Sequence, residues 1–318
     1  MKILITGIAG FIASTLAEKL LSSIPDLEIF GIDNFDPFYD RKVKEKNISD
    51  LIKQPKFRFK EGDLLDANVL DSFPSDINVV IHLAAYAGVR PSIELPGSYI
   101  RNNIEVTNNI LEWMNKNGIK KNIFASSSSV YGNKCVVPFR EDDNTSFPIS
   151  PYAFTKRACE LMNYTYFDLY GIDTINLRLF TVYGPRQRPD LAIHKFTKLI
   201  SEGKKITLYG DGNTSRDYTY VDDIVEGIIA SIHYILNNNN VFEIINLGNS
   251  SPIKLSRLLE LISKSLGIEI KLNHAPMQLG DVDQTCADIL KAKNILGYDP
   301  KMSLKSGIEH FIEWYSIK

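Results

Sequence analysis

The sequence predicts an α/β fold: a doubly wound parallel sheet with a smaller α/β subdomain toward the C-terminus. Three observations carry that prediction. Short apolar runs alternate with longer amphipathic ones through the first half of the chain, a glycine-containing turn joins the first such pair, and the alternation loosens after Leu179. Strands linked by helical crossovers run parallel, with helices covering both faces of their sheet.

Taken in order, Lys2 to Thr6 (KILIT) reads as the first strand and Ile12 to Ser23 as the first helix. Glu28 to Asp33 (EIFGID) and Phe57 to Glu61 read as strands, Val69 to Phe73 as a short helix, and Val79 to Leu83 (VVIHL) as the fourth strand. Ser98 to Lys116 and Tyr152 to Tyr170 read as helices flanking the strand Asn122 to Ser126 (NIFAS), with Thr174 to Leu179 (TINLRL) next. Beyond it, Gly184-Pro185-Arg186-Gln187-Arg188-Pro189 and Gly210-Asp211-Gly212-Asn213 read as loops, and Asn237 to Asn240 as a polar one. Phe242 to Leu247 (FEIINL) reads as one more buried strand. The second region therefore interrupts the first: residues 1–180 with about 222–248 form the sheet domain, and about 181–221 with 249–318 the smaller one.

A chain of 318 residues, 44% hydrophobic and 23% charged, has globular composition and room for one large or two modest domains. A net charge of -2 with scattered Lys and Arg argues against nucleic acid and against a basic membrane-surface helix. Cys135, Cys159 and Cys286 lack metal-ligand spacing and fit a reducing compartment, so no metal is expected. The N-terminal apolar run is broken by Thr6, Gly7 and Gly10 and followed by Glu18 and Lys19, which suits a buried strand and helix rather than a secretion signal. No stretch approaches the ~18 apolar residues that span a membrane. The expected location is the cytosol.

Thr6-Gly7-Ile8-Ala9-Gly10-Phe11-Ile12-Ala13 lies where glycines let a backbone turn tightly and approach a pyrophosphate at a helix N-terminus. Its spacing is G-x-x-G-x-x-A, and a methyl at Ala13 is tolerated where helix and strand pack closely. Asp33 ends the second strand, where a carboxylate binds the hydroxyls of an adenosine ribose. It would repel a 2′-phosphate, so NAD is expected over NADP. Gly62-Asp63-Leu64 is placed to close over adenine, and the small residues of His82-Leu83-Ala84-Ala85 permit close cofactor approach. His82 itself reads as a buried strand histidine.

Tyr152 and Lys156 stand four residues apart in Ser150-Pro151-Tyr152-Ala153-Phe154-Thr155-Lys156. Ser150 suits a helix cap and Pro151 the first helical position. A spacing of four stacks phenol and ammonium on one face, and a cation beside a phenol favours the phenolate. The pair alone is a common spacing; the glycine loop and Asp33 give it a context.

Glycine loop, Asp33, Ser126-Ser127-Ser128-Ser129-Val130-Tyr131-Gly132 and Tyr152/Lys156 occur in the order of the extended short-chain dehydrogenase/reductase family, which the whole chain resembles. The likeness continues through Leu177-Arg178-Leu179-Phe180-Thr181-Val182-Tyr183-Gly184-Pro185, Ser215-Arg216-Asp217-Tyr218-Thr219-Tyr220-Val221-Asp222-Asp223 and Gly280-Asp281-Val282, as in nucleotide-sugar epimerases. Asp33 to Asp40 (DNFDPFYD), Ala87-Gly88-Val89-Arg90 and Thr181 to Asp190 (TVYGPRQRPD) resemble segments of UDP-glucuronate 4-epimerases. Tyr86 departs from the polar amide that relatives often carry before Ala-Gly-Val-Arg.

The resemblance implies a Rossmann-type cofactor domain, a smaller nucleotide-sugar domain, bound NAD and C4 epimerisation through a 4-keto sugar. It implies Tyr152, Lys156 and Ser127 as catalytic residues, with Ser126 and Ser128 assisting. Gly7, Gly10, Phe11, Ile12, Asp33, Asn34, Asp63, Leu64, Leu83, Ala84, Ala85, Asn103, Tyr152 and Lys156 would contact the cofactor. A uronate oxidised at C4 is a β-keto acid, so its carboxylate must be held out of line with the carbonyl π orbitals. Ser128, Thr181, Arg186, Arg188 and Arg90 are the candidates for that task. Arg216 would pair with the diphosphate, and Asp281 would hold the uridine ribose. Rival readings are UDP-glucose/UDP-galactose 4-epimerisation, UDP-glucuronate decarboxylation and a catalytically silent NAD-binding protein. Ser128-Ser129 stands where dehydratases carry an Asp-Glu pair, which argues against dehydration. The resemblance also implies a homodimer built on the Ser98–Lys116 and Tyr152–Tyr170 helices.

Overall fold

The computed structural model describes residues 1–133, 136–210, 212–276 and 282–317. The chain opens with β1 (Lys2–Thr6), α1 (Phe11–Ser23), β2 (Glu28–Asp33), α2 (Arg41–Ile48) and β3 (Phe57–Glu61), then a 3₁₀ turn and β4 (Val79–His82). Next come α3 (Val89–Glu94) and α4 (Pro96–Tyr99), a π-helical turn (Ile100–Glu105), α5 (Val106–Lys116) and β5 (Lys121–Ser127). After α6 (Pro151–Tyr170) and β6 (Asp173–Leu179), the chain leaves the large sheet for β7 (Thr181–Tyr183), α7 (Ala192–Ser201), β8 (Ile206–Tyr209) and β9 (Ser215–Tyr220). It returns through α8 (Val221–Asn237) and β10 (Phe242–Leu247), and β11 (Pro252–Lys254), α9 (Leu255–Leu266), β12 (Leu272–Ala275), α10 (Leu290–Leu296) and α11 (Leu304–Ser316) follow.

The large sheet has seven strands in the order β10-β6-β5-β4-β1-β2-β3, and every pairing is parallel. Successive side chains of a strand point to opposite faces. Ile3 and Ile5 of β1 enter a core shared with Leu16 of α1 and Ile228 of α8, whereas Leu4 enters the opposite core with Val80, Ile110 and Leu111. Burying one such aliphatic side chain stabilises by about 1.5–3 kcal/mol, so a strand dry on both faces needs a continuous apolar run. Two small sheets, β11-β9-β7 and β12-β8, stand beside the large one.

Three of the differences from the sequence reading lie beside the cleft strands. The expected helix over 98–116 is interrupted by the π turn, in which the Asn103 amide bonds the backbone of Tyr86 instead of lying on a regular helical surface. The expected helix over 69–73 is one 3₁₀ turn, Ala67–Ser72, capped by Asp66. The unanticipated α2 buries only Lys44, Asn47 and Ile48, so it carries no apolar period to read. Its anchor is polar: Asn47 Nδ2 donates to the Ala9 carbonyl at 3.0 Å.

Asp217 of β9 organises the smaller region. Its buried carboxylate accepts from the backbone N–H groups of Asn249, Ser250 and Ala287 at 2.8, 2.9 and 2.9 Å. Replacing it leaves buried donors without a partner, at roughly 1–3 kcal/mol for each group. Asp217→Ala should therefore lose about 3 kcal/mol or more in denaturant unfolding, and Asp217→Asn clearly less. Equal, small losses for both variants would show that these bonds contribute little.

Candidate functional site

The C-terminal ends of the parallel strands open into a cleft of about 890 Å³, walled on the far side by the smaller region. In open α/β sheets this edge, where the strand order reverses, is where ligands bind. Here the reversal lies between β1 and β4. Gly7, Gly10, Phe11, Ile12, Asp33, Asn34, Asp63, Leu64, Leu83, Ala84, Ala85, Arg90, Ser126, Ser127, Ser128, Tyr152, Lys156, Thr181, Arg188 and Arg216 all line it.

At the sheet end, Gly7 adopts φ 68°, and a Cβ there would come within 2.8 Å of the Ala84 backbone. A Cβ on Gly10 would meet only the Gly7 carbonyl, at 3.0 Å, and would otherwise project into open space beside the N-terminus of α1. Asp33 is buried, its two oxygens accepting from Ala9 N (3.1 Å) and Phe35 N (2.8 Å). Burial raises its pKa, while the nearby Lys44 ammonium lowers it. A bare glycine turn at a helix N-terminus beside a fixed carboxylate fits a dinucleotide: amides for the pyrophosphate, an acceptor for the ribose.

His82 is buried behind these parts, outside the cleft lining. Thr6 Oγ1 accepts from Ala84 N (3.1 Å) and lies 2.8 Å from His82 Nδ1; His82 Nε2 lies 3.1 Å from Thr107 Oγ1. Thr107 donates to the Asn103 carbonyl (2.7 Å), so the ring pattern is a donor at Nε2 and an acceptor at Nδ1. Burial holds the imidazole neutral, with its pKa down at about 3.

Helix α6 supplies the phenol and the ammonium. Ser150 caps it, its Oγ accepting from Ala153 N (3.2 Å), and Pro151 occupies the first turn. Tyr152 is half-buried, and burial pushes its phenol up; a hydrogen bond with Ser127 and the charge of Arg188 pull it down. Arg188 and Lys156 both line the cleft with the phenol. Lys156 is buried, donates to the Ala125 carbonyl (2.6 Å) and lies 4.7 Å from the centre of the Phe124 ring. Burial brings its pKa down to about 8, so it is still largely charged at pH 7.

Some expected site residues turn elsewhere. Asn103 does not line the cleft; its amide bonds Tyr86 N (2.8 Å), Tyr86 O (3.0 Å) and Thr155 Oγ1 (2.9 Å). The Ser126 hydroxyl donates to Glu160 Oε1 (2.6 Å). Arg186 is directed to Glu18 of α1 (2.8 Å), outside the cleft lining. Asp281 lies outside the described residues, as does Cys135. Arg188 holds Asp190 through Nε and Nη2 (3.0 and 2.7 Å) and donates to the Ala87 carbonyl (3.2 Å); Nη1 makes no hydrogen bond among the described residues.

Sequence reading missed Asp36, Phe38, Tyr39, Lys44, Lys195, Lys205 and Tyr209, all of which line the cleft. Asp40, which caps α2 by accepting from Lys42 N (2.9 Å), is the local signal that could have placed Lys44. Lys195, Lys205 and Tyr209 come from α7 to β8 and carry no motif. Among the described residues, no His, Cys, Asp and Glu cluster suits a metal ion. No helix among them is long and apolar enough to cross a membrane.

Fold and cleft together define a dinucleotide-binding α/β protein with a tyrosine–lysine helix lining the cleft at the C-terminal ends of its strands. The model of the NAD dependent epimerase/dehydratase family matches residues 3–248, and this chain belongs to that family. It is 41% identical to a UDP-glucuronate 4-epimerase of Thermodesulfobacterium geofontis, over 98% of this chain and 95% of that protein. The crystal structure of UDP-glucuronic acid 4-epimerase from Bacillus cereus, in complex with UDP-glucuronic acid and NAD, superposes with a TM-score of 0.93 at 37% identity, covering 100% of this chain and 99% of the other. A UDP-N-acetylglucosamine 4-epimerase from Methanobrevibacter ruminantium superposes with a TM-score of 0.90 at 31% identity, covering 99% and 98%.

The neutral His82 gives this site a pH signature. Its folded pKa of about 3 lies below the ordinary value near 6.5, so the unfolded chain binds the extra proton between those limits. Its contribution is present above pH 6.5 and declines as pH falls, by up to about 1.4 kcal/mol per pH unit. Unfolding measured between pH 7 and 5 should show that slope reduced in His82→Gln; an unchanged slope would refute the assignment.

Proposed function

We propose that this chain interconverts the C4 epimers of a UDP-sugar, UDP-glucuronate and UDP-galacturonate, with NAD as a resident cofactor. The observation that carries the substrate is Arg188: a guanidinium in the same cleft as Ser127, Tyr152 and Lys156, with Nη1 uncommitted among the described residues. With Nε and Nη2 held by Asp190, Nη1 is left to donate a charge-assisted hydrogen bond to one carboxylate oxygen, and a uronate is the hexose that brings one.

Residues 1–180 with about 222–248 hold the cofactor in this reading, and 181–221 with 249–318 the nucleotide sugar. Gly7, Gly10, Phe11 and Ile12 cradle the pyrophosphate, and Asp33 binds the adenosine ribose. Asn34, Asp63 and Leu64 surround the adenine, while Leu83, Ala84 and Ala85 floor the other half. NAD, when bound, takes the C4 hydride and returns it to the opposite face of the sugar, and its cationic ring favours the phenolate. Tyr152 accepts the 4-hydroxyl proton and later gives it back, with Ser127 bridging phenol and hydroxyl. Lys156 keeps its charge one helical turn away and fixes the strand end through the Ala125 carbonyl. Ser128, Thr181 and Arg188 hold the C6 carboxylate away from the alignment in which carbon dioxide leaves. Arg216, with Lys195 and Lys205, meets the diphosphate at the other end of the cleft.

The relatives support this reading, since two of the three named above are UDP-glucuronate 4-epimerases matched over nearly the whole chain. A homodimer belongs to it as well. Phe154, Leu161, Tyr164 and Leu169 on α6 are 46, 53, 51 and 62% exposed, an apolar surface suited to a second copy. Light scattering should find a dimer at micromolar concentration, and a monomer there would remove that part. The buried free thiols Cys159 and Cys286 suit a cytosolic protein.

Purified protein given UDP-glucuronate should yield UDP-galacturonate. UDP-xylose or a 4-keto pentose would show decarboxylation instead, and no turnover would point to a neutral sugar or a silent protein. Tyr152→Phe should abolish turnover while NAD stays bound. Arg188→Met should reduce kcat/KM for UDP-glucuronate about 100-fold, the order expected for a charge-assisted pair, and should affect UDP-glucose far less. Equal losses on both sugars would remove Arg188 from the carboxylate.

A further inference from the structure

We propose that Tyr86 is a positioning residue that retains the cofactor, by closing a strap with Asp36 over the glycine loop. The proposal rests on the NAD part of the proposed function.

Strand order supplies the geometry. β1 lies between β4 and β2, so the loops leaving β4 and β2 stand two strand spacings apart, about 10 Å, with the β1–α1 glycine turn between them. Tyr86 follows β4 and Asp36 follows β2, and the Tyr86 hydroxyl donates to Asp36 Oδ2. By that strand order the bond would cross the β1–α1 turn, and Tyr86, Asp36, Gly7 and Gly10 line one cleft. A pyrophosphate held at the N-terminus of α1 would lie beneath it.

Both ends of the strap are anchored. Asp36 Oδ1 accepts from Phe38 N (2.9 Å), and the Asp36 carbonyl accepts from Lys44 Nζ (2.8 Å). Tyr86 is gripped through its own N and O by the buried Asn103 amide. The hydroxyl–carboxylate bond is therefore a side-chain link that must break for the loops to part. Burial and the Asp36 charge keep the Tyr86 phenol protonated, hence a donor, across the neutral range. A second contact closes alongside: Phe38 lies 6.4 Å from the Tyr86 ring and 5.0 Å beneath the Arg188 guanidinium. Tyr86 also reaches the reaction end, packing edge-on against Tyr99 (5.6 Å), which packs edge-on against Tyr152 (6.2 Å).

A merely structural bond would affect unfolding but not cofactor release. The test loads the full-length protein with radiolabelled NAD and chases with unlabelled NAD, with no sugar present. Tyr86→Phe keeps the ring contacts and removes the bond to a charged acceptor, so label should leave about tenfold faster or more. The unfolding midpoint of the NAD-free protein should stay within a few degrees of wild type. In an Asp36→Ala background, Tyr86→Phe should make no further difference, because the two act through one bond. A Tyr86→Phe release rate within twofold of wild type, or fully additive effects in the double variant, would overturn the strap while leaving the proposed function standing. Failure of the wild-type chain to hold NAD at all would overturn both.

Discussion

Glu160 and Arg178 meet in the interior as a two-pronged ion pair, with Nε and Nη2 each 2.9 Å from a carboxylate oxygen and both side chains essentially inaccessible. The reacting end of the cleft depends on that pair. Glu160 stands one helical turn beyond Lys156 and two beyond Tyr152, while Arg178 is the register partner of Ser126, next to Ser127. Joining them sets the height of α6 against β5 and β6, and so the height of the phenol against the serine. Two charges this deep cost several kcal/mol each to desolvate, and they persist only with every polar atom engaged. Ser126 and Arg157 complete the carboxylate, and Tyr131 lies under the guanidinium at 4.8 Å. Packed aliphatics of similar volume often match the stability of such a buried pair; what its two-pronged geometry adds is directional registry between helix and strand.

With α6 in place, the electrostatics of the cleft follow from which effect is larger. Burial is the leading influence on Asp33, His82, Tyr152 and Lys156 alike, and in each it disfavours the charged form. Local partners then act against it unequally. Asp33 has two amides and a lysine, and Tyr152 has Ser127 and Arg188. His82 has no opposing charge, only two hydroxyl partners, and stays neutral. In the proposed reaction this leaves a base that is costly to ionise in the bare cleft and easier to ionise beside a cationic ring.

Much of the chemistry is legible in the sequence. The glycine turn, Asp33 at the end of a strand and the Tyr152/Lys156 pair each lie in local patterns whose geometry the backbone imposes, and all three line one cleft. Sequence falls short where a residue's partner is remote along the chain. Arg186 and Arg188 are two residues apart in one loop, yet Arg186, at φ 69°, turns to Glu18, 168 residues away, while Arg188 enters the cleft. Asn103 reads as a cofactor ligand, but its amide is consumed by the Tyr86 backbone and Thr155. Ser126 and Ser127 are neighbours in a run of four serines, and pleating sends one hydroxyl to Glu160 and leaves the other by Tyr152.

By itself, the sequence determined the parallel sheet, the strand that returns at Phe242 and the identity of the groups able to do chemistry. Those depend on periodicity and spacing, which act over a few residues. Tertiary structure alone decided which arginine enters the cleft, that Lys156 donates to the Ala125 carbonyl, and that Tyr86 bonds Asp36. Each of those outcomes depends on the order of strands in the sheet, and on burial that exists only once remote segments have packed together.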